Sequence, residues 1–269
     1  MDTNIITKSL QVDEIKNKIN KAVLKGDFKS IPTLGEVFLT KMGTLASFTS
    51  DNKLYAELKE FLNANSFTLS TKDFTDKAYR RLSQVSEISA KFNKYWSHED
   101  SYLDFGCGNG IITERIARNT YWKYAYGVDV VQQRSGFNGY FYDEYDGTLP
   151  YEDDKFDLIT CFTVLHHSQS VGNDLKEMYG VLKPGGLLLI REFDAPSYED
   201  KLFNYVMDEL LYKVYTDNPL VPVSFNGYFS KETWNNLFIN LGFQIMDTII
   251  FDEEKDNPYK PFITVLTKT

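Results

Sequence analysis

The sequence predicts an α/β fold: a doubly wound, seven-stranded, mostly parallel sheet, with a helical extension at the N-terminus. Three observations point there. From Ser101 onward, short apolar runs alternate with stretches of helical periodicity. The first run ends in a glycine cluster, Gly106, Gly108 and Gly110, and the second ends in an acid, Asp129. Before Trp96 that alternation is missing, and apolar residues recur at helical spacing. Strands alternating with helices of this length form a parallel sheet covered on both faces. Right-handed crossovers then bring the loops that follow the strands to one edge.

Residues 1–96 read as a helical cap or substrate region, and residues 97–269 as the ligand-binding domain. In the first part, Leu10 to Lys25 carries Ile15, Ile19 and Val23 four residues apart, on one helix face, with Gly26 as a stop. Lys53 to Asn63 repeats the pattern with Leu54, Leu58, Phe61 and Leu62. A third helix is expected over Thr71 to Trp96, through Ala78, Leu82, Val85 and Ile88. Ser30 to Ser50 reads as broken by Pro32, Gly35 and Gly43.

In the second part, strands are expected at 101–105, 124–130, 139–142, 156–162, 187–192, 243–251 and 262–267. Helices are expected at 111–119, 173–182, 198–212 and 231–240. Pro184-Gly185-Gly186 separates the helix ending at Leu182 from the strand that follows, and Gly242 ends the last helix.

The composition narrows the function. Of 269 residues, 42% are hydrophobic, enough for a sizeable core, and the net charge is −9. That charge disfavours broad nucleic-acid binding, which depends on Lys and Arg neutralising phosphates. Cys107 and Cys161 stand outside any CxxC or His/Cys cluster, so no zinc site is expected. Reduced thiols suit a cytoplasmic setting. The first twenty residues lack the apolar stretch of a secretion signal, and no run is long enough to cross a bilayer.

The chemistry-bearing residues fall in four segments. In Asp104-Phe105-Gly106-Cys107-Gly108-Asn109-Gly110, glycines let the backbone approach a ligand closely. Ile111 stands where the dinucleotide fingerprint has its third glycine, and no Gly-Lys-Ser/Thr follows for a P-loop. Asp129 comes one helix and one strand later, where an acid can accept from two ribose hydroxyls. The third segment runs Asp146-Gly147-Thr148-Leu149-Pro150-Tyr151 and on to Phe156-Asp157-Leu158-Ile159. The fourth runs Phe162-Thr163-Val164-Leu165-His166-His167, with Leu182-Lys183-Pro184-Gly185-Gly186 after it.

These segments, in this order, resemble the class I S-adenosylmethionine-dependent methyltransferases, and most nearly the type 11 branch that includes quinone-biosynthesis enzymes. Gly242-Phe243 ahead of the sixth strand fits as well. The resemblance implies a Rossmann-like methyltransferase fold, S-adenosyl-L-methionine as cofactor, and a residue-by-residue site. Asp104 would lie near the methionine ammonium, with Gly106, Gly108 and Gly110 against the methionine and ribose. Asp129 would hold the ribose hydroxyls, and Val130 would pack on adenine. Asp146 would accept from the adenine amino group beside Gly147, and Phe162 would flank the sulfonium. Arg191-Glu192-Phe193-Asp194 and the segment from Asn257 to Phe262 also resemble methyltransferase-like proteins of large DNA viruses, which would place the protein in a host cytoplasm.

Methyl transfer needs a base only when the acceptor must lose a proton. Past the fourth strand, His167 and then His166 are the candidates, with Glu192 next. Each also suits a structural role at a turn. No set of oxygen ligands marks a metal site. The acceptor is expected to be a small molecule, with RNA or protein left open. Aromatic residues Tyr215, Phe225, Tyr228 and Phe229, interrupted by Pro219 and Pro222, are expected to help enclose it. Two other readings compete: a methyltransferase-like scaffold or regulatory subunit without turnover, and a nicotinamide-dependent oxidoreductase. Ile111 and the placement of Asp104 count against the second.

Overall fold

The computed structural model describes residues 4–26, 28–67, 71–97, 100–120, 122–130, 141–215, 225–252 and 255–269. The chain divides into two compact units. One comprises residues 70–192, 232–250 and 262–269, and the other comprises 1–69, 193–231 and 251–261.

The helices of the second unit are α1 (Ile5–Ser9), α2 (Asp13–Lys25), α3 (Pro32–Ala46) and α4 (Asp51–Ala64). With α5 (Thr71–Lys91) begins the sheet unit: β1 (Ser101–Phe105), α6 (Ile111–Thr120), β2 (Tyr124–Asp129), β3 (Phe141–Glu144) and β4 (Phe156–Phe162). Then come α7 (Val171–Val181) and β5 (Leu182–Phe193). The chain returns to the helical unit with α8 (Tyr198–Val206), a π-helical turn at Met207–Tyr212 and α9 (Lys213–Tyr215). The sheet unit is completed by α10 (Lys231–Asn240), β6 (Gln244–Ile249) and β7 (Pro261–Thr267).

The sheet has seven strands in the order β3-β2-β1-β4-β5-β7-β6. The pairs β1–β2, β1–β4, β2–β3 and β4–β5 are parallel, and β6–β7 is antiparallel. The strand order reverses between β1 and β4, so the loops after these two strands diverge and leave a crevice at the carboxyl edge. The registers Asp104↔Thr160, Asp129↔Glu144 and Phe162↔Arg191 align the residues at that edge. β4 and β7 are almost wholly buried, as expected of strands covered on both faces.

In the helical unit, Ile15, Ile19 and Val23 of α2 join Leu54 and Leu58 of α4 in one core, as their spacing predicts. Leu202, Phe203, Val206, Leu210 and Leu211 enter that same core. The unit is therefore discontinuous in sequence, and it departs from the expected division at residue 96. Helix α5 belongs with the sheet: Arg115 of α6 lies 4.1 Å from the ring centre of Tyr79 on α5, and α5 buries Ala78, Val85 and Ile88.

The expectation of a break across Ser30 to Ser50 is corrected by α3, which runs unbroken from Pro32 to Ala46. Pro32 sits in the first turn, where its missing N–H costs nothing. A Cβ on Gly35 would fall 2.7–3.0 Å from side-chain atoms of Phe28 and Leu24. That glycine lets the helix pack closely and does not end it.

Other boundaries shift by a few residues. The fifth helix stops at Lys91, before Asn93 turns to φ +52°. β5 begins at Leu182, runs through Pro184-Gly185-Gly186, and absorbs the irregularity as a register shift against β4. The third strand covers Phe141–Glu144; Gly139 and Tyr140, assigned to it from sequence, lie outside the described residues, as do Pro219 and Pro222. Among the described residues, no helix is long and apolar enough to cross a membrane.

Candidate active site at the carboxyl edge of the sheet

The glycine loop leaves β1 and opens α6. Gly106, Gly108 and Gly110 all have positive φ, at 75°, 54° and 70°, a region L-residues with side chains rarely adopt. The N–H groups of Gly106 and Cys107 both donate to the carbonyl of Val128 on β2, at 2.8 and 3.0 Å. Two of the glycines do different work. A Cβ on Gly106 would lie 2.3–3.0 Å from the side chain of Val164, so this glycine lets the loop pass against the segment after β4. A Cβ on Gly108 would meet nothing within 4 Å, so bare backbone faces open space there, as a ligand cradle requires.

Gly106→Ala is accordingly expected to cost about 3 kcal/mol, combining an unfavourable φ with overpacking. Urea unfolding measures it. Adding Val164→Ala should restore the overpacking part, whereas a neutral Gly106→Ala would contradict the close approach.

Asp129 ends β2, and its Oδ2 accepts the N–H of Gly108 at 2.8 Å. The acid and the loop are thus one assembly. Val130 follows, 48% exposed. Asp146 is exposed, and Gly147 next to it has φ +111° with nothing within 4 Å of a built Cβ. These positions fit an adenosine-bearing cofactor: open glycine backbone, a carboxylate at the strand end, and an exposed acid two strands along.

Asp104, expected beside an ammonium group, is held by hydroxyl groups of the protein itself. Its side chain is buried between β1, β4 and α6, where Oδ1 accepts from the Thr160 hydroxyl at 2.7 Å and Oδ2 from the Thr113 hydroxyl at 2.5 Å. Thr160 Oγ1 also lies 2.8 Å from the Tyr102 hydroxyl. Burial pushes the Asp104 carboxyl up to about 6, against the opposing effect of the two hydroxyls. The carboxyl therefore anchors the root of the glycine loop. The sequence reading missed Thr113 and Thr160; the available signal was a lone hydroxyl residue inside the apolar run of β4.

At the end of β4, Phe162 is 8% exposed. Thr163 then takes φ +62°, and its N–H donates to the carbonyl of Arg191 at 2.8 Å. A single 3₁₀ turn, Leu165–His167, carries both histidines. Glu192, near the end of β5 and fully buried, organises this turn. Its Oε1 accepts the N–H groups of Val164 and Leu165 at 3.2 and 2.8 Å, and its Oε2 lies 2.6 Å from His166 Nδ1. His167 lies beside His166, with ring centres 4.1 Å apart and the planes tilted by 44°. Burial, reinforced by His166, drives the His167 imidazole down to about 2, so it stays neutral. The structure thus joins all three candidate catalytic residues, but it gives the carboxylate to His166, not to the expected leading candidate His167.

The model of a family described as "methyltransferase domain" matches residues 54–248. The chain belongs to that family. Similar proteins include the ubiquinone/menaquinone biosynthesis C-methyltransferase UbiE of Psychromonas ingrahamii. It is 41% identical over 68 residues, which are 24% of this chain and 27% of the relative. The methyltransferase YcgJ of Bacillus subtilis, described as uncharacterized, is 32% identical over 123 residues, covering 42% of this chain and 47% of the relative. The chain thus spans about a quarter of the UbiE length and under half of YcgJ. Among solved structures, the CurJ carbon methyltransferase superposes with a TM-score of 0.55 at 17% identity, covering 94% of this chain and 71% of that one. This likeness concerns the fold. The open backbone at Gly108 suits S-adenosylmethionine, the cofactor expected from the sequence.

Proposed function

We propose that this methyltransferase transfers the sulfonium methyl group of S-adenosylmethionine to a small molecule whose accepting atom must give up a proton. The observation that carries the reading is the 2.6 Å contact between Glu192 and His166 beside the loop after β4. A buried carboxylate is costly unless fully paired. Glu192 answers that cost with two backbone N–H groups and one imidazole.

Bound S-adenosylmethionine supplies the activated methyl group and a neutral leaving group. The chain's residues do the rest. The glycine loop and Asp129 would hold the ribose and methionine parts, with Asp104 anchoring the loop from beneath. Val130, Asp146 and Gly147 would hold the adenine, and Phe162 would flank the sulfonium. Alignment of acceptor, methyl and sulfur is then the main contribution. His166 removes the acceptor's proton, and Glu192 stabilises the imidazolium that results. The UbiE relatives are named C-methyltransferases, which supports a carbon acid, the acceptor class most dependent on a base. Two buried free thiols, Cys107 and Cys161, support a reducing, cytoplasmic setting.

The test is to incubate purified protein with methyl-labelled cofactor and, separately, with small-molecule, RNA and protein fractions of a cell extract. Label is expected in the small-molecule fraction and should disappear with His166→Ala. Label confined to RNA or to protein would overturn the acceptor class.

A further inference from the structure

Helix α7 carries three polar side chains that converge on one short segment. Asn173 and Glu177 stand one turn apart with Asp174 beside them, so all three share a face. Asn173 Nδ2 donates to the carbonyl of Gly147 at 2.7 Å. Asp174 Oδ1 accepts the Tyr145 hydroxyl at 2.8 Å. Glu177 Oε2 accepts the N–H of Leu149 at 2.7 Å.

The segment is fixed at its other side as well. Tyr145 donates its N–H to the carbonyl of Asp129 at 2.9 Å, and its ring packs edge-on against Phe105, 4.8 Å between centres. Burial, with Asp174 beside it, keeps the Tyr145 phenol protonated. Within the clamped stretch, the N–H of Thr148 turns onto Asp146 Oδ1 at 3.3 Å. A short loop lacks the ladder bonds that fix a strand, so the direction of the Asp146 carboxylate depends on these outside ties.

We infer that Asn173, Asp174 and Glu177 are positioning residues for purine recognition: through Gly147, Tyr145 and Leu149 they set Asp146 against the 6-amino edge of the base. The inference rests on the adenine placement proposed above. Selectivity of this kind needs a rigid acceptor, because an acceptor that swings away lets the wrong base find another arrangement.

Calorimetry with S-adenosylhomocysteine and S-inosylhomocysteine, in which a carbonyl replaces the amino group, separates the possibilities. The parent is expected to prefer the amino compound, and Asp146→Asn to lose that preference. Glu177→Ala should cut the preference about tenfold, the size of one lost hydrogen bond. Glu177→Gln, whose amide oxygen still accepts from Leu149, should stay within about twofold of the parent, an indirect effect too small to cost a whole bond. Asn173→Ala, on an exposed side chain, offers a variant little able to disturb folding. If Glu177→Ala keeps the preference that Asp146→Asn loses, or weakens both ligands equally, the positioning role is overturned. If Asp146→Asn keeps the full preference, the adenine placement itself fails, and the inference with it.

Discussion

Asp129→Ala is expected to weaken S-adenosylhomocysteine binding by about a hundredfold, the largest single effect on cofactor affinity. A carboxylate accepting two ribose hydroxyls makes charge-assisted bonds that together are worth about 3 kcal/mol at the low end of their range, and two decades of affinity correspond to about 2.7 kcal/mol. The geometry adds a second loss, because the N–H of Gly108 would lose its acceptor at 2.8 Å. Asp129→Asn separates the two. Its amide oxygen can still hold Gly108 while the charge is gone, so its affinity should fall between parent and alanine variant, about tenfold down. Calorimetric titration reads the affinities, and thermal melting without ligand checks that the sheet is intact. Unchanged affinity in Asp129→Ala would mean that the ribose lies elsewhere.

The glycine loop and the acid that ends β2 were legible in sequence because their positions are dictated by backbone geometry. Gly106 and Gly108 hold positive φ, and a position that only glycine occupies comfortably leaves a mark in the sequence. Asp129 was legible because a parallel strand must end where its helix begins, which puts its last residue at the ligand edge. The direction in which Asp104 points was not legible. β1 is buried on both faces, so alternation carries no signal, and its partners Thr113 and Thr160 come from elements joined only by folding. The same limit explains the helical unit. The pattern in α2 and α4 was visible, but the core shared with Phe203 and Val206 links residues far apart in sequence. Helix α3 was missed for a local reason: glycine and proline mark breaks on average, and here one starts the helix while the other makes room for Phe28.

The pairing of Glu192 with His166 leads to the other large effect. In Glu192→Gln the amide oxygen can still accept from Val164 and Leu165, so the turn should keep its shape. The amide NH₂ would then face His166 Nδ1 and donate to it. That forces the imidazole to carry its proton on the far nitrogen, where it can no longer accept one. Loss of the correct tautomer, together with loss of the charge that stabilises imidazolium, is expected to lower kcat by about 10²–10⁴-fold, the range for general-base catalysis. Cofactor affinity should change only severalfold, since no ribose or adenine contact is touched. His166→Ala should fall as far, because the two residues act as a unit and their losses do not add. His167 gives the contrast. With its imidazole held near 2, it is neutral through the whole range in which the enzyme can be assayed. The pH–rate profile of the parent should therefore survive in His167→Ala and change in Glu192→Gln. The linkage sign gives an independent check. A histidine depressed below its unfolded value contributes stability that is full above about 6.5 and is lost as pH falls toward the folded value of about 2. His167→Ala should thus flatten the acid side of the stability curve without altering the pH dependence of kcat. If the profile instead changed with His167→Ala and persisted without the Glu192 carboxylate, the proton would pass through the other ring.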